Sequence, residues 1–171
     1  MKNSPENINR ETFEYNPENE GDVINEILSR RRTITLEKAR NLGYDYADYD
    51  QEYPDVHRVL LEYGSKICIV TIDYGGEEFS TYIKTITDQK KDRETTFLYK
   101  AARKIMQDVV NEKGQKFRYE FFAKNEKMRN WAKTTGQDIF HWEDESEGEE
   151  TKNGKKVKYY SFKTSINPNN K

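Results

Sequence analysis

The sequence has almost no cysteine, since Cys68 is the only one among 171 residues. No intramolecular disulfide can form, and nothing favours an oxidising compartment. Long apolar runs are also missing, because no stretch approaches the roughly 20 residues that a membrane-spanning helix needs. The opening residues, MKNSPENINRETFEYNPENEG, have no apolar centre of the kind found in a secretory signal. These absences predict a cytoplasmic protein with no membrane partner.

Apolar residues are scarce, at 33% of the chain against 35% charged residues. A chain of this length is most simply one domain that buries a core without disulfides or metals. The 13% aromatic content compensates for the small apolar share, because each aromatic ring buries a large area. We expect a compact domain with an aromatic-rich core.

Neither positive nor negative charge predominates overall, since the formal net charge is −2 and the pI is about 5.9. Acidic blocks lie at 1–28, 44–55 and 143–150, and residues 84–133 carry fourteen Lys or Arg against seven acids. Arg30, Arg31 and Arg32 separate two predicted helices, a faint helix-turn-helix pattern. Acidic blocks flank every basic one, so a large uniform nucleic-acid footprint is disfavoured. Nucleic acid is the less favoured partner.

The N-terminal third predicts an arm and two short helices. Residues 1–21 are polar and acidic, which is typical of a flexible arm, and 22–171 read as a single domain. Asp22 can cap the first helix, whose apolar residues share one side. TLEKARNLG, 35–43, predicts a second short helix that ends at Gly43.

Three β-rich runs follow, at 56–63, 66–74 and 77–87. Gly64-Ser65 and Gly75-Gly76 separate them and are hairpin signals. The middle run is apolar at consecutive positions, which predicts a central strand with material packed on both faces. The three runs therefore predict an antiparallel meander.

The remaining pattern predicts a long helix at 95–114, a strand at 116–122 and a short helix from Asn125 to Gly136. Strands follow at 138–142 and 156–166, joined by an acidic loop. A strand–helix–strand passage within an antiparallel sheet implies one parallel pair. The predicted fold class is α+β (α/β), with a mixed, mostly antiparallel sheet and helices on both faces.

This order resembles that of the GNAT superfamily, the acyl-CoA-dependent N-acetyltransferases, over Val56 to Ile166. Family members often carry Asn, then Tyr at the seventh position after it and Gly at the eleventh. NEKMRNWAKTTG keeps the Asn125 to Gly136 spacing, with Met128 and Trp131 at apolar positions. The resemblance implies a helix beside the thiol of acetyl-CoA or CoA, and transfer of an acyl group to an amine.

The cofactor site implied by the resemblance departs from the family pattern. The family's glycine-containing phosphate loop would precede the long helix, where this chain has DQKKDRETT. Glycines let backbone amides approach a pyrophosphate at a helix N-terminus. Basic side chains could replace that contact here. The cofactor-binding candidates are Lys90, Lys91, Arg93, Thr95, Thr96 and Asn125.

The catalytic positions are left open. The family tyrosine that protonates the departing thiolate falls on Ala132, which has no proton to donate. Tyr82, Tyr99 or Tyr119 could substitute, and nothing selects among them. A general base must also deprotonate the accepting amine, and Asp73, Glu77 and Glu78 are candidates by position.

The two histidines and the cysteine are interpreted as structural residues. His57 and His141 lack the spacing and neighbours of a zinc site, so no metal site is predicted. Cys68 reads as a core residue of the central strand.

Two functions remain open at this stage. The first is a divergent acyltransferase that uses acyl-CoA. The second is a GNAT-like scaffold without catalysis that binds a protein partner through charged, Tyr-rich segments such as YDYADYDQEYPD, 44–55. The missing glycines and the missing tyrosine favour the second function, whereas the element order and the Asn125–Gly136 spacing favour the first.

Overall fold

The computed structural model describes residues 19–43, 54–73, 79–86 and 93–169, with 79–86 described as backbone. Backbone contacts divide the chain into two compact units. The first comprises 1–53, 57–70 and 83–102, and the second 54–56, 71–82 and 103–171. The helices are α1 (Glu20–Ser29), α2 (Leu36–Asn41), α3 (Arg93–Lys113), α4 (Glu126–Trp131) and α5 (Gln137–Phe140). The strands are β1 (Arg32–Ile34), β2 (Val56–Tyr63), β3 (Lys66–Asp73), β4 (Phe79–Ile86), β5 (Phe117–Ala123), β6 (Asp144–Lys152) and β7 (Lys155–Ile166).

The strands form one seven-stranded sheet in the order β1-β2-β3-β4-β5-β7-β6. β4 and β5 are parallel, with Phe79 opposite Phe117 and Ser80 opposite Arg118. The β1–β2, β5–β7 and β6–β7 pairs are antiparallel. The predicted mixed, mostly antiparallel sheet with one parallel crossover is confirmed.

The first unit contains α1, β1, α2 and the meander strands as far as Val70. α1 buries its predicted apolar side, but it begins at Glu20 after Asn19 rather than at Asp22. Thr35 begins α2, since its hydroxyl accepts the Lys38 backbone N–H at 3.1 Å. Ala39 of α2 packs in a buried cluster with Leu60 and Ile69. A short amphipathic helix is thereby fixed to two strands.

Strand β1 was not predicted, and it changes the reading of the arginine run. Arg32 pairs with Leu60 of β2 in the β1–β2 ladder. Its guanidinium lies 3.1 Å from Glu62, Arg31 donates to the Leu28 carbonyl at 3.0 Å, and Arg30 forms an ion pair with Glu26. All three cations make contacts within the unit, and the intervening strand does not match a helix-turn-helix.

The meander and the long helix agree with the sequence. β2 occupies the predicted residues, and β3 is buried on both faces apart from partial exposure at Ile67 and Asp73. α3 ends at Lys113, and Gly114 follows with φ +67°, a left-handed conformation that glycine adopts without strain. The second predicted hairpin turn, at Gly75-Gly76, lies outside the described residues.

The second unit corrects two predictions near the C-terminus. Helical structure continues from Glu126 through a π-helical turn at Ala132–Gly136 to Phe140, so Gly136 does not end the helix. A Cβ at Gly136 would lie 3.2 Å from the Trp131 ring, which shows that close packing explains this glycine. Residues 138–142 are therefore not a strand.

The predicted acidic loop is instead strand β6, which pairs with β7 over nine positions. Its side chains are exposed along almost its whole length, so no apolar alternation marks it in the sequence. β6 and β7 are joined by a turn at Asn153-Gly154, with φ of 53° and 77°, the left-handed conformation that a two-residue hairpin turn requires.

Within the described ranges, no helix is long and apolar enough to cross a membrane. The predicted flexible arm, 1–21, lies outside those ranges except for its last residues, and Glu20 and Gly21 belong to α1. The structure does not test the single-domain prediction for 22–171, which stays a prediction.

Candidate functional site

In the second unit, the candidate functional side chains lie on and beside β5, and the two faces of this strand differ. Phe117, Tyr119 and Phe121 alternate along the strand and are buried. Glu120 and Phe122 point to the opposite face, because successive side chains of a strand alternate. β7 lies alongside β5 in antiparallel register, with Lys163 opposite Glu120. This register brings chemical groups together that lie about forty residues apart in the chain.

The exposed face of β5 carries a carboxylate with two polar neighbours. The Ser161 hydroxyl donates a short hydrogen bond to Oε2 of Glu120, and the Lys163 Nζ lies 4.0 Å from the same oxygen. Ser161 is buried, whereas the Glu120 side chain is 37% exposed. We call Glu120, Ser161 and Lys163 the carboxylate site. Its geometry orients one carboxylate that still reaches solvent.

An aromatic pair lies on the same strands as the carboxylate site. Phe122, two residues after Glu120, is 45% exposed, and its ring centroid lies 5.8 Å from that of Tyr159 in an edge-to-face arrangement. Gly148 of β6 lies under the Tyr159 ring, since a Cβ at Gly148 would be 2.5 Å from it. The Phe122–Tyr159 pair therefore forms a partly exposed apolar surface next to the carboxylate of Glu120.

The opposite face of β5 is closed by the helical run 126–140. Trp131 packs on Phe121 with centroids 5.4 Å apart, and Phe140 packs on Tyr119 at 4.8 Å. Asn125 begins the run, because its side-chain oxygen accepts the Met128 backbone N–H at 2.8 Å. The predicted cap is confirmed, and its energetic value is typically about 1 kcal/mol.

Ala132, at the family's tyrosine position, is fully buried in the π-helical turn. The Trp142 indole N–H donates to the Ala132 carbonyl at 2.9 Å. The Trp142 ring also stacks on Phe140, with centroids 5.0 Å apart. The Ala132 side chain is packed in the interior, and alanine has no hydroxyl that could donate a proton at this position.

A polar cluster joins the start of α4 to β7. The Tyr160 hydroxyl donates to Oε2 of Glu126 at 2.7 Å, and the Arg129 guanidinium lies 4.4 Å from the centre of the Tyr160 ring. The hydrogen bond lowers the pKa of Glu126, and Arg129 lowers it further against the opposing effect of desolvation. The same hydrogen bond, with desolvation, raises the pKa of Tyr160. The cluster stabilises the protonated tyrosine and the charged carboxylate together.

One cavity of about 200 Å³ lies at the N-terminal end of β6. Its lining combines two aromatic rings with polar and acidic side chains: Lys133, Gln137, Trp142, Glu143, Asp144, Glu145 and Phe162. Pockets for drug-sized ligands usually enclose about 300–1,000 Å³. This cavity lies below that range, and its volume is comparable to that of a single long side chain.

The predicted cofactor-binding residues are described in part. Thr95 is buried and Thr96 half-buried in the first turns of α3. Arg93 begins α3, and its side chain is not described; Lys90 and Lys91 lie outside the described residues. Asn125 serves as a helix cap. Within the described ranges, no group of three His, Cys, Asp or Glu residues could hold a metal ion.

The predicted catalytic residues are described in part. Tyr99 is buried in α3, and Tyr119 is buried in the aromatic cluster, stacked on Trp142. Asp73 is half-buried at the end of β3. Only the backbone of Tyr82 is described, and Glu77 and Glu78 lie outside the described residues.

Sequence reasoning missed Glu120, Ser161 and Tyr160. Strand alternation in KFRYEFF does place Glu120 opposite the apolar face, and this is the one local signal for it. The partners come from β7, and their contact depends on the β5–β7 register, which the sequence does not encode locally. Glu126 and Tyr160 are likewise 34 residues apart.

The strand order β1-β2-β3-β4-β5-β7-β6, with a crossover through α3 between the parallel strands β4 and β5, is that of a GNAT-like fold. Among solved structures, the ribosomal-protein-S18-alanine N-acetyltransferase from Escherichia coli has a TM-score of 0.50 and 11% identity, over 82% of this chain and 97% of that chain. A protein from Sphaerobacter thermophilus DSM 20745 that has been assigned as an acetyltransferase has a TM-score of 0.39 and 10% identity, over 81% and 92%. No family model matches the chain, and no curated protein matches it. At such identity the likeness shows the fold alone.

Proposed function

We propose that this chain is a divergent N-acyltransferase that binds acetyl-CoA or another acyl-CoA and transfers the acyl group to an amine. The observation that carries the proposal is the carboxylate site. Glu120 is oriented by Ser161 and Lys163 on the solvent-reaching face of β5. The strand that carries it directly follows the crossover helix of a GNAT fold. Acyl transfer to an amine requires a general base, and an oriented carboxylate that reaches solvent can serve as one.

In this proposal Glu120 takes the proton that the acceptor amine loses when its nitrogen bonds to the acyl carbon. Bound acyl-CoA supplies a thioester, whose C–S bond breaks in the same exchange. Ser161 holds the Glu120 carboxylate in place through its hydroxyl. Ala132 cannot protonate the departing sulfur, but a thiol with an ordinary pKa of about 8.5 can leave as the thiolate. The missing tyrosine would therefore reduce the rate without abolishing transfer.

The residues around the start of α3 suit a phosphate-bearing cofactor by their chemistry. Lys90, Lys91 and Arg93 supply three cations just before or at the first turn, and Thr95 and Thr96 supply hydroxyls. Glu94 in the first turn opposes them by its charge. The N-terminal end of a helix of 21 residues also carries a partial positive charge, which favours a bound anion. The balance favours binding through side chains in place of a glycine-rich loop.

Titration calorimetry with CoA and acetyl-CoA tests the cofactor half of the proposal. We expect saturable binding that is lost in Lys90→Ala/Lys91→Ala/Arg93→Ala. Lys152→Ala/Lys155→Ala/Lys156→Ala removes three exposed cations near the β6–β7 turn and should bind as the parent does. Absence of heat at high micromolar ligand would overturn the enzyme proposal.

The base is tested by thiol release from acetyl-CoA over a panel of primary amines. Glu120→Gln keeps the shape and the Ser161 contact but cannot accept the proton, so turnover should fall about 10²- to 10⁴-fold. CoA binding should be unchanged in this variant. Glu112→Gln, an exposed site on α3, is the matched control. Equal rates for Glu120→Gln and the parent would remove Glu120 from this role.

A second function is favoured by one specific observation, which is the buried alanine at position 132. The Trp142 indole N–H donates to the Ala132 carbonyl, and the alanine is buried. GNAT members often carry a proton-donating tyrosine at the corresponding position. The alternative is a GNAT-like scaffold without catalysis that binds a protein partner. Nucleic acid is less favoured, because Arg30, Arg31 and Arg32 are engaged within their own unit. Failure of both CoA ligands to bind would support the scaffold.

A further inference from the structure

Strand β6 lies at one end of the sheet order, and among the described residues it pairs with β7 alone. It is nine residues long, with nine consecutive register pairs and no proline. Long, regular edge strands are templates for another strand, and proteins commonly protect them by bulges, prolines, lysines or short length. β6 has no proline, and its protection is the negative charge of its side chains, which disfavours an acidic strand but not a basic one.

The hairpin geometry shows which backbone groups face the open edge. Asn153-Gly154 is a two-residue turn, so Lys152 and Lys155 form the first hydrogen-bonded pair, and bonded pairs then alternate along the strands. The backbone N–H and C=O groups at every second position therefore point away from β7. These positions are Glu145, Glu147, Glu149 and Thr151.

The charge of this edge selects the kind of strand that could pair with it. Residues 143–150 contain six acids in EDESEGEE. Two are engaged, Glu145 with Arg129 and Glu147 with Lys158, each at 3.5 Å. In the described part of the chain Glu149 and Glu150 form no ion pair. Pairing two β6 edges from two copies would place glutamates against glutamates, which destabilises a sheet. The N-terminal residues 1–28 are also acidic, with seven acids against two bases.

The cavity at the start of β6 adds aromatic side chains to this acidic edge. Trp142 and Phe162 give it aromatic walls, and Glu143, Asp144 and Glu145 give it carboxylates. A lysine or arginine side chain has an apolar stem and a cationic head, which match rings and carboxylates respectively. Lys133 also lines the cavity and offsets part of the negative charge. Its volume of about 200 Å³ admits one such side chain.

We propose that β6 binds a basic, extended segment of another protein as an added antiparallel or parallel strand, with one lysine or arginine side chain in the cavity beside Trp142. Main-chain hydrogen bonds to the open edge give affinity, and the alternate side chains give charge specificity. The proposal does not depend on acyl transfer, since it uses neither Glu120 nor the start of α3.

Fluorescence anisotropy with a labelled ten-residue peptide of alternating lysine and threonine tests the proposal. The matched probe alternates glutamate and threonine. We expect saturable binding of the basic peptide alone, weakened at least tenfold by Glu149→Pro. That change removes an outward N–H and leaves the β6–β7 hydrogen bonds in place. Glu149→Gln removes the same charge but keeps the N–H, and should weaken binding only a few-fold.

Amide hydrogen exchange on the full chain provides a readout that charge attraction alone would not change. Bound peptide should slow exchange at Glu145, Glu147, Glu149 and Thr151. Far-ultraviolet circular dichroism checks that Glu149→Pro remains folded, and Glu143→Gln tests the cavity without altering the edge. The proposal is overturned by absence of saturable binding, by equal losses in Glu149→Pro and Glu149→Gln, or by spermine competing as strongly as the peptide.

Discussion

β3 and β6 belong to the same sheet but are stabilised in different ways. In β3 nearly every side chain is buried, whereas in β6 nearly every one is exposed. Cys68, Ile69 and Val70 of β3 are all inaccessible to solvent. β6 instead depends on its ladder with β7 and on the turn that joins them. A strand can thus be defined by the core or by its neighbour, and mutations should distinguish the two.

The largest contrast is expected from truncating a side chain in each strand. Ile69→Ala removes buried apolar atoms from the cluster with Ala39 and Leu60, and should lower the free energy of unfolding by about 2–5 kcal/mol. Glu150→Ala in β6 should change it by less than about 0.5 kcal/mol. Urea unfolding of both variants measures the difference. Similar losses in the two variants would mean that β6 is as much a core strand as β3.

The same contrast explains what the sequence can predict about this fold. Burial leaves a pattern of residue types, so β2, β3, α3 and β5 could be located from apolar spacing. β6 leaves no such pattern, because its acids face solvent on both sides, and it was predicted as an acidic loop. Gly136 was misread as a helix stop, since a packing glycine and a capping glycine look alike in sequence.

The candidate site shows the same limit. The Asn125 cap is a local feature, since its acceptor and donor are three residues apart, and it was predicted. Glu120 with Ser161, and Glu126 with Tyr160, are pairs formed by tertiary register. A polar residue on an exposed strand face reads as ordinary solvated surface until its neighbours are known.

If the turn specifies β6, a change at the turn should cost more than most changes within the strand. Gly154 has φ +77°, and a Cβ there would meet no other atom, so the cost of Gly154→Ala is backbone strain alone. We expect a loss of about 1–2 kcal/mol in urea unfolding. Gly21→Ala in α1 is the control, because that glycine also has open space but a helical backbone. It should stabilise by roughly 0.4–1 kcal/mol.

A smaller effect is expected at Gly148, where β6 packs closely against the Tyr159 ring. Gly148→Ala would put a Cβ 2.5 Å from the Tyr159 ring, which must rotate away from Phe122. Losing that aromatic contact should cost about 0.5–1.5 kcal/mol. In a Tyr159→Thr background the same alanine should be neutral, which a double-mutant cycle measures. A cost that persists without the ring would place the strain in the backbone of β6.

The smallest effect is expected from the polar contact between α4 and β7, and it depends on pH. The pKa of Glu126 is lowered by the Tyr160 hydroxyl, so its contribution to stability is present above the ordinary value of 4.5 and is lost as pH falls through the lower folded value. The pKa of Tyr160 is raised, so its contribution is present below 10.0 and is lost as pH rises through the higher folded value. The stability difference between the parent and Tyr160→Phe should therefore be greatest between these limits and shrink at both ends.

Carbon-detected NMR titration of the Glu126 carboxyl gives the direct measurement for this pair. In Tyr160→Phe its midpoint should move upward toward the ordinary value, because the first cause of the lowered pKa is removed while Arg129 remains. Glu143→Gln is a control that leaves the Glu126–Tyr160 hydrogen bond intact. An unchanged midpoint in Tyr160→Phe would assign the lowered pKa to Arg129 instead. The effect is expected to be small because the Glu126 side chain is 64% exposed, and solvent screens such contacts.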